Sequence, residues 1–210
     1  MTHQIDLEGY FRRIGYTGPR EPSLAALHGI TAAHVHSIPF ENLDILLGRP
    51  ILLGLGRIEE KLVSERRGGY CFEQNTLLLH ALSALGFHVT ALSARVRIQS
   101  PRDYVPPRTH MFLRVELPEG SFLADVGIGG LSVACALRLE ADVSQPTPHE
   151  PRRIVRGGAW SGFEQRAPGA KLYHQAYLGG DWQDVCEFTL EEMPEIDRVL
   201  GNWYTSAHPS

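Results

Sequence analysis

The chain has 210 residues, 43% hydrophobic and 21% charged, which is the balance of a soluble globular protein with length for one large domain or two small ones. A net charge of −4 and the lack of any long Lys/Arg run argue against nucleic acid as a partner. No apolar run is long enough to span a membrane, and Met1–Leu7 has neither the basic nor the apolar region of a signal peptide. Cys71, Cys135 and Cys186 are odd in number and widely spaced, so no disulfide framework is expected and a reducing cytoplasm fits best.

Leu7, Tyr10, Phe11 and Ile14 form the apolar stripe of a short helix that Gly15 ends. Ser23 offers an N-cap for a second helix, which runs through Leu24, Leu27 and Ile30 towards Val35 and must stop before Pro39. His28, His34 and His36 lie on it without carboxylate or thiol neighbours at ligand spacing, so they read as surface or satisfied core histidines. Residues 38–44 form a non-helical connector whose Glu41 or Asp44 is expected to hold Arg67 in a bidentate contact. If that pair is buried, truncating Arg67 costs ~3 kcal/mol. A third helix is expected over Ile58–Val63.

The most informative stretch is Ser64–Asn75. Gly68 and Gly69 suit a tight backbone turn, and Cys71 then opens a run with apolar residues at helical spacing (Phe72, Leu78, Leu79, Leu82, Leu85) that Gly86 ends. Cys71 is thus placed at a helix N-terminus, where unpaired N–H groups and the helix dipole favour a thiolate.

Beyond residue 88 the period changes to two. Thr90, Leu92, Ala94, Val96 and Ile98 share one face of a strand, and Ser93, Arg95 and Arg97 the other. A loop with Pro101, Pro106 and Pro107 leads to a strand His110–Leu117, then Pro118-Glu119-Gly120 and a strand Ser121–Ile128. Short strands follow at Ala136–Leu139, Arg153–Val155, Leu172–Tyr177 and Val185–Leu190, with turns at Gly157-Gly158 and Gly179–Asp181. The fold class is therefore α+β: a helical bundle over 1–88 carrying the cysteine, then an antiparallel, barrel-like unit over 89–210. Cys135 and Cys186 lie in these β runs without a base nearby and read as inert.

Cys71, His110 and Asp125 are candidates for nucleophile, base and orienting carboxylate. Their geometry depends on the hairpin. A two- or four-residue loop puts His110 and Asp125 on the same face, whereas a three-residue loop separates them. Gly127, Gly129 and Gly130 read either as a plain turn or as a loop offering N–H groups to an anion.

With Arg66–Cys71, Ile38–Leu43, Arg108–His110 and Ala124–Gly130 in this order, the chain resembles the arylamine N-acetyltransferases over nearly its whole length. The resemblance implies a cysteine-protease-like core of the papain and transglutaminase type. It makes Cys71 the acetyl acceptor, His110 the general base and acid, and Asp125 the group orienting the imidazole. Acetyl-CoA is the implied co-substrate, with an arylamine, arylhydroxylamine or arylhydrazine as acceptor and no metal. Phe40 and Val96 are implied in the acceptor pocket, Gly129 at the CoA entrance and Ile128 in substrate binding; Arg67 and Glu41, paired as above, are structural support. Family members usually continue with a further domain after Asn202–Ser210. Its absence would leave the cleft open to water and apolar surface exposed to self-association. Three other readings use the same residues: a thiol hydrolase of the same triad type, an inactive scaffold, and a Cys-His-Asp metal site.

Overall fold

The computed structural model describes residues 3–157 and 170–208. Six helices and eight strands run in the order α1 Leu7–Ile14, α2 Leu24–Ser37, α3 Leu43–Leu46, α4 Leu55–Glu59, α5 Cys71–Ala84, β1 His88–Val96, β2 His110–Leu117, β3 Gly120–Ala124, β4 Leu137–Arg138, β5 Ser144–Gln145, β6 Arg152–Arg156, β7 Leu172–Leu178, β8 Asp181–Glu192 and α6 Glu195–Ala207 among the described residues. Local signals set the ends of the first helices. Asp6 accepts from Gly9 N (2.9 Å) and Gly15 takes a left-handed φ of 67°, while Ser23 accepts from Ala26 N at 3.2 Å.

The strands form one antiparallel sheet, β4-β3-β2-β1-β8-β7-β6-β5. It curls until its edge strands meet: the Gln145 side chain accepts from Arg138 N (2.8 Å) and donates to Arg138 O (2.9 Å), supplying two ladder-like bonds between β4 and β5. Successive residues of β2 serve different cores. Met111, Leu113 and Val115 pack with the helices, while Phe112 joins Leu92, Ala94, Leu123 and Cys186 inside the barrel.

Several elements differ from the sequence expectation. The connector after Pro39 contains α3, and Phe40 pairs with Gly69 in an isolated parallel bridge. The third helix starts earlier, at Leu55, and finishes as a π-helical turn over Glu60–Ser64. β3 ends at Ala124 because the Asp125 carboxylate folds back onto Gly127 N at 2.9 Å, ending the ladder. β8 is 12 residues long, six more than expected, and β5 was not foreseen. The turn expected at Gly157-Gly158 runs outside the described residues.

The largest miss is α6. Asn202 is its one buried residue among those described, while Ile196, Val199, Leu200, Trp203 and Tyr204 form an exposed apolar stripe at helical spacing. Among the described residues, no helix is long and apolar enough to cross a membrane.

Candidate active site

Cys71 is the first residue of α5, so its N–H has no acceptor within the helix. The turn before it is fixed by Tyr70 N donating to Glu73 Oε2 (3.1 Å) and by Gln74 Nε2 donating to Gly69 O (2.7 Å). Gly68 and Gly69 do not make the tight turn expected of them, since Arg66 takes the left-handed conformation at φ 55°. They are needed for close approach. A Cβ on Gly68 would sit 2.1 Å from Pro39 O, and one on Gly69 would meet the Glu73 carboxylate at 2.9 Å.

His110 and Asp125 reach the same place from the sheet. Leu117 pairs with Gly120, leaving Pro118-Glu119 as a two-residue loop, and the register Leu113↔Ala124 puts His110 and Asp125 on one face. Asp125 Oδ2 lies 2.7 Å from His110 Nε2, so that nitrogen carries the donated proton and the other ring nitrogen is left for the Cys71 thiol, which hydrogen-bonds to the imidazole. Cys71 Sγ also lies 3.5 Å from Thr109 O. The strap that carries Thr109 is fastened to β1 and β8: Arg97 donates to Pro101 O at 3.0 Å and pairs with Glu187, and Arg95 donates to Pro106 O at 2.5 Å.

A fourth residue, which the sequence reading gave no role, holds these three together. Asn75, one turn after Cys71 and fully buried, donates to Asp125 Oδ1 (3.1 Å) and Met111 O (2.8 Å) and accepts from Val126 N (3.1 Å). Gly127 completes the contact between β3 and α5: a Cβ there would lie 2.6 Å from Cys71 Cα and 2.8 Å from Asn75 Nδ2. Burial opposes protonation of His110, but Asp125 and Cys71 outweigh it and raise the imidazole pKa to about 10. Burial likewise opposes ionisation of Asp125, and His110, Gly127 N and Asn75 together hold its carboxyl below the usual range. Neutral His34 is the contrast, since burial pushes it down to about 3 beside Tyr10 OH at 2.9 Å.

Cys71, at a helix N-terminus, thus faces a carboxylate-bound imidazole. The N-acetyltransferase family model matches residues 23–210. The chain is 44% identical over 209 residues to the arylamine N-acetyltransferase of Mycolicibacterium smegmatis, spanning 98% of this chain and 72% of that one. The chain belongs to the arylamine N-acetyltransferase family. It is also 38% identical to a Salmonella typhimurium protein named arylamine N-acetyltransferase / N-hydroxyarylamine O-acetyltransferase, covering 97% of this chain and 68% of the other. Its structure matches that of the Mycobacterium marinum arylamine N-acetyltransferase in complex with CoA with a TM-score of 0.89, at 39% identity, over 98% of this chain and 73% of that one.

In this family member the support beneath Cys71 is a partly buried ion cluster. One Arg67 nitrogen, Nη2, bridges Glu41 Oε1 (3.0 Å) and Asp44 Oδ1 (2.9 Å), in place of the expected bidentate contact with a single carboxylate. Lys61, not anticipated, lies 2.8 Å from Asp44 and 2.7 Å from Glu73, which ties the cluster to the first turn of α5. The Arg67 side chain is 30% exposed. Water can therefore reach the two carboxylates when it is removed, and Lys61 still pairs with them. Arg67→Ala is expected to destabilise by about 1–2 kcal/mol, below the cost for a fully buried pair, as urea denaturation would measure.

The other residues named from the sequence fall around the same end. Phe40 is 47% exposed, and its ring lies 3.6 Å from a Cβ built on Gly129, which itself needs its left-handed φ of 70°. Val96 pairs with Cys186 on β8, and Ile128 packs against the barrel core. Burial pushes the thiols of Cys135 and Cys186 up. His28 accepts from Ala136 N (3.1 Å), and the exposed His36 ring bonds Ala32 O (2.7 Å). Among the described residues no group of three or more His, Cys, Asp or Glu is disposed to hold a metal ion.

The pair gives a pH signature for stability. With its pKa raised from 6.5 to about 10 on folding, His110 contributes stability that is complete below pH 6.5 and lost as the pH rises through about 10. Asp125, held low, contributes stability that is present above pH 3.8 and lost as the pH falls. Thermal melts between pH 7 and 10.5 should therefore show a larger fall in Tm for the wild type than for His110→Gln. Equal falls would mean that the imidazole is not held protonated.

Proposed function

We propose that this protein transfers an acetyl group from acetyl-CoA to the nitrogen, or the hydroxylamine oxygen, of an arylamine, arylhydroxylamine or arylhydrazine, through an acetyl-Cys71 intermediate. The observation that carries this reading is the alignment of Cys71, His110 and Asp125, with the carboxylate 2.7 Å from the imidazole. Family membership and the names of the relatives supply the donor and acceptor classes.

In the first half-reaction the Cys71 thiolate attacks the thioester carbonyl, a new C–S bond forms and the bond to CoA breaks. The departing CoA thiolate takes the proton held on His110. Exchange of one thioester for another is close to balanced, so the step needs positioning more than driving force. The tetrahedral oxyanion requires donors, and the N–H of Cys71, unpaired at the start of α5, is one in place. In the second half-reaction the exocyclic amine nitrogen, or the hydroxylamine oxygen, attacks the acetyl carbonyl, neutral His110 accepts its proton, and Cys71 leaves as the thiolate. Asp125 keeps the imidazole oriented and stabilises its charge throughout.

Phe40, Ile128 and Val96 are assigned to substrate binding from the resemblance to the family, Phe40 and Val96 to the aromatic acceptor. The backbone at Gly129 leaves room for the pantetheine arm because it carries no side chain. We also propose residues 1–88 and 89–210 as the two folding units, which limited proteolysis would test, and the cytoplasm as the compartment, in keeping with three unpaired cysteines. Initial rates measured against acetyl-CoA at several fixed arylamine concentrations should give parallel double-reciprocal lines. Intersecting lines would indicate direct transfer in a ternary complex without acetyl-Cys71.

A further inference from the structure

We propose that Asn202 of α6 is a positioning residue for Cys71, acting through the hydroxyl of Tyr70. This rests on the reading of Cys71 as the nucleophile. Tyr70 immediately precedes Cys71, and its carbonyl accepts the first backbone bond of α5, from Gln74 N at 3.0 Å. Its phenol reaches across the molecule and donates to Asn202 Oδ1. Asn202 cannot swing freely, because its Nδ2 donates to Ile51 O (2.9 Å) and its own carbonyl accepts from Ser206 Oγ (2.7 Å).

The residue on the other side of Cys71 is held by the same helix. Phe72 lies so close to α6 that a Cβ on Gly201 would come within 2.9 Å of its ring, and Tyr70 and Phe72 pack with ring centroids 5.6 Å apart. Both neighbours of the nucleophile are thus braced by Gly201 and Asn202, 130 residues further along the chain. Asn202 is the only polar side chain that α6 buries among the described residues, and its amide oxygen is the phenol's closest partner on a helix that also brings Ser206 and the Asn202 carbonyl (3.5 Å) to the same hydroxyl. A hydrogen bond to a buried phenol is directional, whereas the apolar contacts around it tolerate sliding. The bond therefore fixes where the first turn of α5 presents Sγ to His110.

The test uses the whole chain and three variants, Asn202→Ala, Tyr70→Phe and the double variant. Iodoacetamide labelling of Cys71 is followed by peptide mass spectrometry, with Cys135 as the internal reference, from pH 5.5 to 9. Each single variant is expected to lower the Cys71-to-Cys135 rate ratio at pH 6 about ten-fold and to alter the pH dependence of Cys71 labelling. The double variant should match the singles to within about two-fold, because both remove the same bond. An unchanged ratio and profile in both single variants, even with a lowered Tm, would overturn the proposal and leave Asn202 as a packing residue. A wild-type ratio near one would overturn the nucleophile reading itself, and this inference with it. Tyr70→Phe keeps the ring packing, so it reports on the bond even if Asn202→Ala fails to fold.

Discussion

Replacement of Cys71 by alanine is expected to abolish acetyl transfer to an arylamine, with a loss of at least ~10⁴-fold, while the fold persists. The size follows from the chemistry. His110 and Asp125 can hold and move a proton, but neither is placed to accept the acetyl group, so the proposed two-step reaction loses the atom on which its intermediate forms. The fold persists because the contacts that seat the first turn of α5 do not use the sulfur. Glu73 still caps Tyr70 N, and Asn75 still ties α5 to Met111, Asp125 and Val126. Removing one sulfur atom leaves a small cavity at the boundary between helix and barrel, for about 1 kcal/mol. Steady-state transfer rates with a circular-dichroism melt check both halves. Residual transfer within a hundred-fold of wild type would remove Cys71 from the mechanism.

Asp125→Asn is expected to slow acetylation of Cys71 by about 10³–10⁴-fold, although it changes little in shape. The carboxylate accepts from three donors: His110 Nε2 at Oδ2, and Asn75 Nδ2 and Gly127 N at Oδ1. An amide cannot satisfy all three. With its NH₂ towards His110, the imidazole must present a lone pair there and carry its proton towards Cys71, where it can no longer accept the thiol proton. With its NH₂ towards Asn75 and Gly127, two donors face a donor in a buried site, at about 1–3 kcal/mol. Either orientation also removes the negative charge that raises His110 to about 10. The rate of a single acetylation turnover separates this from a folding defect, because it is measured per acetylated protein. A rate within three-fold of wild type would make Asp125 a structural residue only.

How much of this was legible in the sequence depends on the range of the interactions. Cys71 at the start of a helix, and the alternation through β1, follow from local periodicity and were read correctly. The shared face of His110 and Asp125 was legible only as a condition. Gly120 could belong to the loop or to the strand, and its pairing with Leu117 settled which. Asn75 was hidden because a polar residue four positions after Cys71 resembles any solvent-facing helix position. Its burial arises only when β2 and β3 close over it. Lys61 and Glu73 were missed for the same reason, as their charges become a cluster through the approach of α3 and the π-helical turn. The glycines before Cys71 were read as turn formers, but the constraint on them is steric and comes from Pro39 and Glu73.

The miss at α6 has a different origin. Ile196, Val199, Leu200, Trp203 and Tyr204 do recur at helical spacing, but a run of short strands set the expectation of more β structure. The stripe also faces away from the core, so the usual link between apolar periodicity and burial fails there. The buried contact of α6 rests on Asn202, a residue type that signals nothing on its own.

The most direct test of the central claim is mass spectrometry of the intact protein and its peptides after incubation with acetyl-CoA alone. One added acetyl group is expected, located on Cys71, that disappears when an arylamine is supplied and reappears on the amine. Acetylation of the amine while Cys71 stays unmodified, or an acetyl group on Cys71 that no arylamine discharges, would contradict the claim.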